Sequence, residues 1–545
     1  MGNRARIKII SYFFVVCFFL ITVRLFYLQV IQHKFYEKKS LEQRTRIIKL
    51  SAQRGDIRDR NGFLLAVTVD TYSVFTNKDQ SFSWLARKLD LAKAEQMREK
   101  DPLHIGIIKE KKRIYPKHNF AAQLIGFVGL DNEGLSGVEL SYDEFLRGRE
   151  GQVVTEGDPQ GRELYGAFRE LEKGTDGMNI TLTVDESIQY IAEREIEKQV
   201  KQYHAQSGLC IIMDAKTGEI LALASKPDFD PNNYKNAGRS LWHPRFLDPY
   251  EPGSTFKLIT VASGLEEKVI TPDSRLKALN SITVGGKTIE NSHPIHWKGS
   301  DAAISFVLEQ SINTGVAQIG LKLGPQKFYE RIKAFDFGKR TSFGLYGESK
   351  GIVRHWQDWY KPDAAMIAFG QSIAVTPMQL LAAVSAFANH GRMVKPYVVK
   401  KIESVDGQYV KVFSSDSRPQ AVSDKVAEQM MQLMKNVVLH GSGRRAQMAD
   451  FKVGGKTGTA QKAVVGGRGY LKGHYIASFI GIAPLDNPRL VGLVIVDDPK
   501  GCIWGETVCG PIFKSTIEYA LRYLNAKPDG DIMTNVPALR DPETH

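Results

Sequence analysis

The sequence predicts a mixed α/β chain of the α+β type: an antiparallel sheet flanked by helices, a strand-rich domain ahead of it, and one membrane-spanning helix at the start. Three observations carry that expectation. A long apolar run opens the chain. Apolar strand patterns stand at both ends of the region after residue 179, with helical periodicity between them. The stretch separating these two regions consists of short apolar pairs punctuated by glycines.

The opening run extends from Ile9 to Ile31, 23 residues with Arg24 as its one charge. A bilayer needs about 20. Arg24 can snorkel toward the far interface beside Tyr27. Bulky Phe26, Tyr27 and Leu28 stand where a cleaved leader would carry small residues, so the segment reads as an uncleaved anchor. Arg4, Arg6 and Lys8 precede it, which places residues 1–8 in the cytoplasm and the remainder outside. No second run of that length occurs, so a single crossing of the plasma membrane is expected.

Composition narrows the function classes. A hydrophobic share of 43% and a charged share of 24% are those of a globular protein. The formal charge of +13, from 73 basic and 60 acidic residues, suits a soluble surface, anionic headgroups or an anionic polymer. No aromatic stacking platform is interleaved with the basic residues, so nucleic acid is excluded as a partner. Of the four cysteines, Cys17 and Cys210 lie in apolar runs and read as inert. Cys502 and Cys509 could close a local disulfide outside the cytoplasm, a question the spacing leaves open. No metal-ligand spacing occurs.

After the anchor, residues 33–49 read as a charged helical stalk. Asn61-Gly62 marks a hairpin turn between two short strands. Residues 88–110 suggest short helices, and residues 113–150, with Gly126, Gly129, Gly134, Gly137 and Gly148, an irregular strand-and-loop module. Residues 32–178 together form a non-catalytic domain. A strand at 179–184 opens the second domain, 179–526. Asp185 caps a helix with Ile188, Ile191, Ala192, Ile196 and Val200 on one face. Residues 209–213 and 220–224 form a hairpin. Thr376-Pro377 starts a helix that ends before Gly391. Two more strands, 475–483 and 490–496, precede a final helix over 512–524, and residues 527–545 form a loose tail.

The chemistry sits in three short motifs. Glu251-Pro252-Gly253-Ser254-Thr255-Phe256-Lys257 reads as a loop entering a helix, with Ser254 and Lys257 three apart on one face. A serine hydroxyl needs a base, and a lysine serves only where burial and nearby positive charge depress its pKa. Ser311-Ile312-Asn313 supplies a hydroxyl to relay a proton and an amide to hold a substrate. In Lys456-Thr457-Gly458-Thr459 the lysine can bind a carboxylate or steer protons, the hydroxyls can take a terminal carboxylate, and Gly458 admits a substrate backbone. Ser274/Lys277, Lys216-Thr217-Gly218 and Gly286-Lys287-Thr288 resemble these motifs but read as structural, the first two as turns with Lys216 facing water and the third because it lacks the final glycine.

S-x-x-K, S-x-N and K-T-G in this chain order resemble the serine–lysine penicillin-recognising enzymes. Arg54-Gly55-Asp56-Ile57-Arg58-Asp59-Arg60-Asn61-Gly62, Gly134-Leu135-Ser136-Gly137-Val138-Glu139, Gly218-Glu219-Ile220-Leu221-Ala222 and Phe369-Gly370-Gln371 extend the likeness to class B penicillin-binding proteins of the septal type. The resemblance implies the penicillin-binding transpeptidase fold and D,D-transpeptidation of peptidoglycan stem peptides ending in D-Ala-D-Ala. It makes Ser254 the nucleophile, Lys257 its base, Ser311 and Lys456 the proton path to the leaving group, and Asn313, Thr457, Gly458 and Thr459 substrate-binding residues. The N–H groups of Ser254 and Thr459 form the oxyanion hole. β-Lactams acylate the same serine, and no metal or organic cofactor is implied. A membrane glycan polymerase and other division proteins are the implied partners, contacted in part through Leu25, Leu28 and Phe35. Competing readings are an elongation-type transpeptidase, a carboxypeptidase or β-lactamase, a β-lactam sensor and an idle scaffold.

Overall fold

The computed structural model describes residues 2–50, 52–76, 82–156, 170–294, 301–415, 417–464 and 469–529. The tail expected at the C-terminus lies, beyond Asp529, outside the described residues. The chain forms two compact units, one of Met1–Gln53 with Gly148–Gly177, the other of Arg54–Arg147 with the chain from Met178 onward.

In the first unit the helix Asn3–Phe26 continues into a π-helical turn, Tyr27–Ile31. These 29 residues are long and apolar enough to cross a membrane. A second helix, His33–Arg44, follows. The expected stalk helix stops there, because Thr45–Leu50 is a strand. It pairs antiparallel with Gly151–Glu156, which pairs in turn with Glu170–Glu172. β-Branched Thr45, Ile47 and Ile48 favour that conformation, and the partner strand is too distant in sequence for local periodicity to reveal it.

The second unit holds two main sheets. One has seven strands: Val410–Val412, Val399–Glu403, Asn179–Leu182, Ile57–Arg58, Leu64–Thr76 and Ser83–Leu89 in order, with Ile105–Ile114 also on Leu64–Thr76. The strand at 179 therefore belongs to this sheet and runs parallel to Ile57–Arg58. Residues 88–110 depart from the helical expectation. Only Leu91–Arg98 is helical there, and Ile105–Ile114 is a strand in register with Leu64–Thr76 from Val67↔Ile114 to Thr76↔Ile105. The ladder decides its conformation. Residues 113–150 carry three short helices, Ala122–Ile125, Gly137–Ser141 and Asp143–Leu146, where strands and loops were expected.

A buried ion network locks these segments. Arg54 donates from Nε to Glu139 Oε2 at 2.7 Å and from Nη1 to Asp143 at 2.6 Å. Arg113 Nε donates to the other Glu139 oxygen at 2.7 Å, and Tyr115 OH adds a third contact at 3.2 Å. Two of the motifs that carry the family likeness thus meet in one pair, Arg54–Glu139. A third joins them through Arg60–Glu219 at 3.1 Å. Asn61 caps the assembly by donating to Asp185, whose other oxygen accepts from the N–H groups of Ser187 and Ile188 at the start of helix Glu186–Gln202.

The central sheet has five antiparallel strands in the order Ile220–Lys226, Ser207–Asp214, Leu490–Asp497, Tyr470–Ala483, Gly454–Ala463. Both faces are covered, so the strands read as continuous apolar runs. Side chains still alternate. Ile211, Met213, Ile480 and Leu493 pack with helices Lys257–Glu266, Pro377–Ala388 and Asp424–His440. Cys210, Ile212, Phe479 and Val494 pack with helices Glu186–Gln202 and Gly510–Tyr523. Thr376 and Gln379 form a capping box with Pro377 at the first turn. Cys502 and Cys509 are free thiols, not a disulfide. Cys509 is buried in the core behind the sheet, where burial pushes its pKa well up. Burial likewise pushes the Cys210 thiol up to about 12.

Burial pushes the Glu139 pKa up, but Arg113 and Arg54 outweigh it and hold the carboxyl below its ordinary 4.5. Its stabilising share is therefore present at neutral pH and is lost as pH falls through that depressed value. Glu139→Ala leaves buried Arg113 without its carboxylate and Arg54 with Asp143 alone, and is expected to destabilise this unit by about 3–5 kcal/mol, measured by denaturant unfolding at pH 7.

Candidate active site

Two glycines shape the turn that presents Ser254. Gly253 has φ +56°, and Gly370, at φ +79°, leaves no room for a Cβ against the Gly253 carbonyl. The turn Gly253–Phe256 is thus pressed between the Gly370 loop and strand Gly454–Ala463. It is a 3₁₀ turn, with the α-helix Lys257–Glu266 beginning after it. The expected pairing survives this difference, because residues i and i+3 eclipse in a 3₁₀ helix. Nearly the whole helix is buried, including Lys257, while Ser254 stays partly exposed in the cleft.

Lys257 Nζ has three N–H bonds and three acceptors: Ser311 O at 2.6 Å, Ser311 Oγ at 3.1 Å and Asn313 Oδ1 at 2.7 Å. Lys456 Nζ reaches the same Ser311 Oγ at 3.0 Å and also Thr457 O at 3.1 Å. A hydroxyl accepts two hydrogen bonds and donates one. With both ammonium groups on its lone pairs, Ser311 keeps its proton for a group in the cleft. Ser311 holds this place in a left-handed conformation, φ +54°, between helices Ile304–Glu309 and Asn313–Leu323. Such strain costs about 1–3 kcal/mol and concentrates at functional sites.

The electrostatics follow from burial. Lys257 is held well below its ordinary pKa by burial and then by the charge of Lys456. Burial lowers Lys456 to about 7, with Glu506 pulling weakly the other way. Two buried cations this close do not both stay charged at neutral pH.

Strand Gly454–Ala463 is the edge of the central sheet and borders the cleft. Thr457 Oγ1 lies 2.8 Å from Ser442 Oγ. Thr459 Oγ1 accepts weakly from Gly505 N–H at 3.4 Å. At Gly458 a Cβ would collide with Ser478 Oγ and crowd Thr255, so the glycine is also needed for the packing of this strand against the serine turn.

Ser254 and Thr459 stand where two lobes of the cleft meet. The larger, about 400 Å³, is lined by Lys287, Glu290, Gln371, Tyr470 and Trp504. The smaller, about 290 Å³, is lined by Ser311, His293, Ser442, Arg444, Thr457 and Glu506. The eight sequence-selected residues converge here. Lys216 and Ser274 lie in turns away from it, Lys216 exposed and donating to Ala388 O. Lys287 and Thr288, read as structural, line the larger lobe from hairpin Ser281–Val284/Lys287–Glu290. Ser442 and Trp504 went unnoticed, the former signalled only by its flanking Gly441 and Gly443.

A serine at a turn, a buried lysine one turn on and a sheet edge beside them define a serine-type acyl-transfer enzyme. Comparison with known proteins sharpens that class. A family description of the penicillin binding protein transpeptidase domain matches residues 208–518, and that of the penicillin-binding protein dimerisation domain matches residues 80–182. Stage V sporulation protein D of Bacillus subtilis is 34% identical over 96% of this chain and 86% of its own length. Peptidoglycan D,D-transpeptidase FtsI of Escherichia coli is 28% identical over 93% of this chain and 90% of its own. Penicillin binding protein 3 of Mycobacterium tuberculosis, solved with aztreonam, superposes with TM-score 0.72 at 26% identity, covering 88% of this chain and 98% of that one. A peptidoglycan synthetase of Bifidobacterium adolescentis shares the fold, with TM-score 0.76 at 24% identity over 91% of this chain and 99% of that one. The chain belongs to the penicillin-binding protein transpeptidase family, as a class B member.

The unfolded chain keeps the Lys456 proton up to its ordinary pKa of 10.5, whereas the folded protein releases it near 7. Stability therefore rises with pH across that interval, by up to about 1.4 kcal/mol per unit for each such group. Lys456→Met is expected to remove one share of the rise, read from unfolding curves at a series of pH values.

Proposed function

We propose that Ser254 is the nucleophile of a peptidoglycan D,D-transpeptidase that cross-links stem peptides at the division septum. The observation that carries this reading is the meeting of two buried lysines on Ser311 Oγ beside a serine open to the cleft. Neutral Lys257 takes the Ser254 proton as the hydroxyl attacks the penultimate D-Ala carbonyl. The oxyanion lies between the N–H groups of Ser254 and Thr459. Ser311, backed by Lys456, passes a proton to the departing D-Ala nitrogen, and an ester on Ser254 remains. An amine of a neighbouring stem peptide then resolves it.

The donor peptide lies along the free edge of strand Gly454–Ala463, where an extended chain adds as one more strand. Asn313 gives Oδ1 to Lys257 and one Nδ2 hydrogen to Glu290 O at 2.9 Å, which leaves its second hydrogen for the donor. Thr457 and Thr459 take the terminal carboxylate, and a β-lactam occupies the same place. Residues 1–8 lie in the cytoplasm, 9–31 form the anchor, 32–178 the pedestal, 179–526 the transpeptidase domain and 527–545 a tail. Exposed Leu25 and Phe35, together with Leu28, contact a membrane glycan polymerase of the division machinery. A second reading, cross-linking during spore formation, draws on the 34% identity to a sporulation protein.

Ser254→Ala is expected to abolish labelling by fluorescent penicillin. Lys257→Ala should slow it by at least about a hundredfold, and a rate near that of the unaltered protein removes Lys257 from the base role. A fluorescently tagged copy is expected at the vegetative division septum; a signal along the side wall overturns the septal assignment, and one confined to sporulating cells supports the second reading.

A further inference from the structure

Outside both lobes of the cleft, a group of aromatic rings stands on the surface of the second unit. Tyr329, on helix Pro325–Ala334, lies edge-on to His355 at 5.0 Å and to Trp359 at 6.4 Å. His355 lies against Trp356 at 5.7 Å. Tyr360 follows in the chain and is 76% exposed. His355 is exposed too, and Tyr329, Trp356 and Trp359 are half-buried. Only folding assembles this surface, because Tyr329 comes from a separate helix.

The rings are held in place. Trp359 Nε1 donates to Arg354 O at 3.0 Å, and its indole stands edge-on to buried Phe328 at 6.2 Å. His355 Nδ1 accepts from the Gln357 N–H at 3.4 Å. Arg354 donates to buried Asp363 at 2.7 Å and lies over the Tyr360 ring at 5.8 Å. The guanidinium among the rings is thereby balanced. A rigid aromatic surface left open to water on a loop points to binding rather than to packing.

The chain connects this surface to the cleft. Tyr360 and Lys361 lead into helix Asp363–Ile367, and Met366 and Phe369, on and just after that helix, line the larger lobe. At about 1.5 Å per helical residue, the rings stand on the order of 10 Å from that lining. The turn at Gly285 sits so close to Lys361 that a Cβ there would collide with it. That turn joins the strands of the hairpin whose Lys287 and Glu290 wall the same lobe. An extended peptide gains about 3.4 Å per residue, so a few residues cross the interval.

The substrate's own construction identifies the occupant. A stem peptide hangs from a polysaccharide, and a peptide held at Ser254 brings its sugar out past the lobe. In a β-1,4-linked N-acetylhexosamine the ring substituents are equatorial, so both faces of the sugar present C–H groups. Those faces stack on the electron-rich faces of aromatic rings. A polyanion would call for unpaired cations among the rings, and Arg354 is already paired with Asp363.

We propose that Tyr329, His355, Trp356, Trp359 and Tyr360 form a platform for a β-1,4-linked N-acetylhexosamine strand, which holds the donor's glycan while its peptide enters the larger lobe. This inference rests on the cleft being the place where stem peptides react.

The test uses the full chain in detergent. An oligomer of β-1,4-linked N-acetylglucosamine is expected to bind the unaltered chain in calorimetry, and a stem peptide without sugar should not compete with it. Trp356→Ala combined with Tyr360→Ala should weaken that binding about tenfold or more. Trp356→Phe with Tyr360→Phe keeps both rings and should stay within about threefold. The Ala pair should also lower cross-linking of glycan-borne stem peptides, while penicillin labelling and acyl transfer from a small N-acyl-D-alanyl thioester proceed as in the unaltered chain. Absence of oligomer binding by the unaltered chain, binding that survives the Ala pair, or competition by the bare peptide overturns the platform. Equal loss on the polymeric and small substrates overturns it as well, since it marks a structural role. Oligomer binding is read without acylation, so a Ser254 that takes no penicillin strikes the nucleophile assignment while the sugar-binding result stands by itself.

Discussion

Two ammonium groups share one hydroxyl, and the rest of the site depends on that arrangement. Ser311 Oγ lies between Lys257 at 3.1 Å and Lys456 at 3.0 Å. In water neither lysine would give up its charge near neutral pH. Enclosed, both lose hydration, and Lys257 also feels the charge of Lys456, so deprotonation becomes accessible near neutral pH. The enclosure is a packing result. The helix bearing Lys257 runs through the apolar interior, the strand bearing Lys456 forms the sheet edge, and Ser311 reaches between them only by accepting a left-handed backbone.

A second buried constraint works at longer range. Glu139 and Asp143 together balance Arg54 and Arg113, and their contacts fasten segments far apart in sequence onto the unit that holds the cleft. A pair of this kind adds little net stability over well-packed apolar residues, yet removal of one member leaves a charge stranded. Its value here is geometric. It fixes the seven-stranded sheet, in which Asn179–Leu182 leads directly through Asp185 into helix Glu186–Gln202 behind the central sheet.

How much of this was legible in the sequence varied with the range of the interaction. Ser254 and Lys257 were readable because a three-residue offset aligns side chains in either kind of helical turn. Asp185 and Thr376 announced their caps, and the runs at 209–213 and 220–224 announced a doubly covered hairpin. Thr45–Leu50 and Ile105–Ile114 were missed, since each is made a strand by a partner that local periodicity does not sense. Gly458 carries a packing constraint that spacing alone did not reveal, since Ser478 and Thr255 fill the space a Cβ would need. The lobe walls at Lys287, Ser442 and Trp504 come together only on folding: Lys287 stood in a near-match to the third motif that read as structural, and Ser442 was marked only by its flanking glycines. The free thiols at Cys502 and Cys509 show the limit of spacing as evidence, because one of them faces the core.

Among the described residues, strand Gly454–Ala463 has a neighbour on one side only, Tyr470–Ala483. An open rim of this kind would ordinarily invite indiscriminate pairing between molecules. Here the serine turn overhangs it, so whatever docks must be narrow, extended and short enough to end in the cleft. A chain recognised through its amides is read for handedness and length rather than for the identity of its residues. One fixed scaffold can therefore tolerate variation along a polymer's cross-bridges while remaining strict about the terminus at which it cuts.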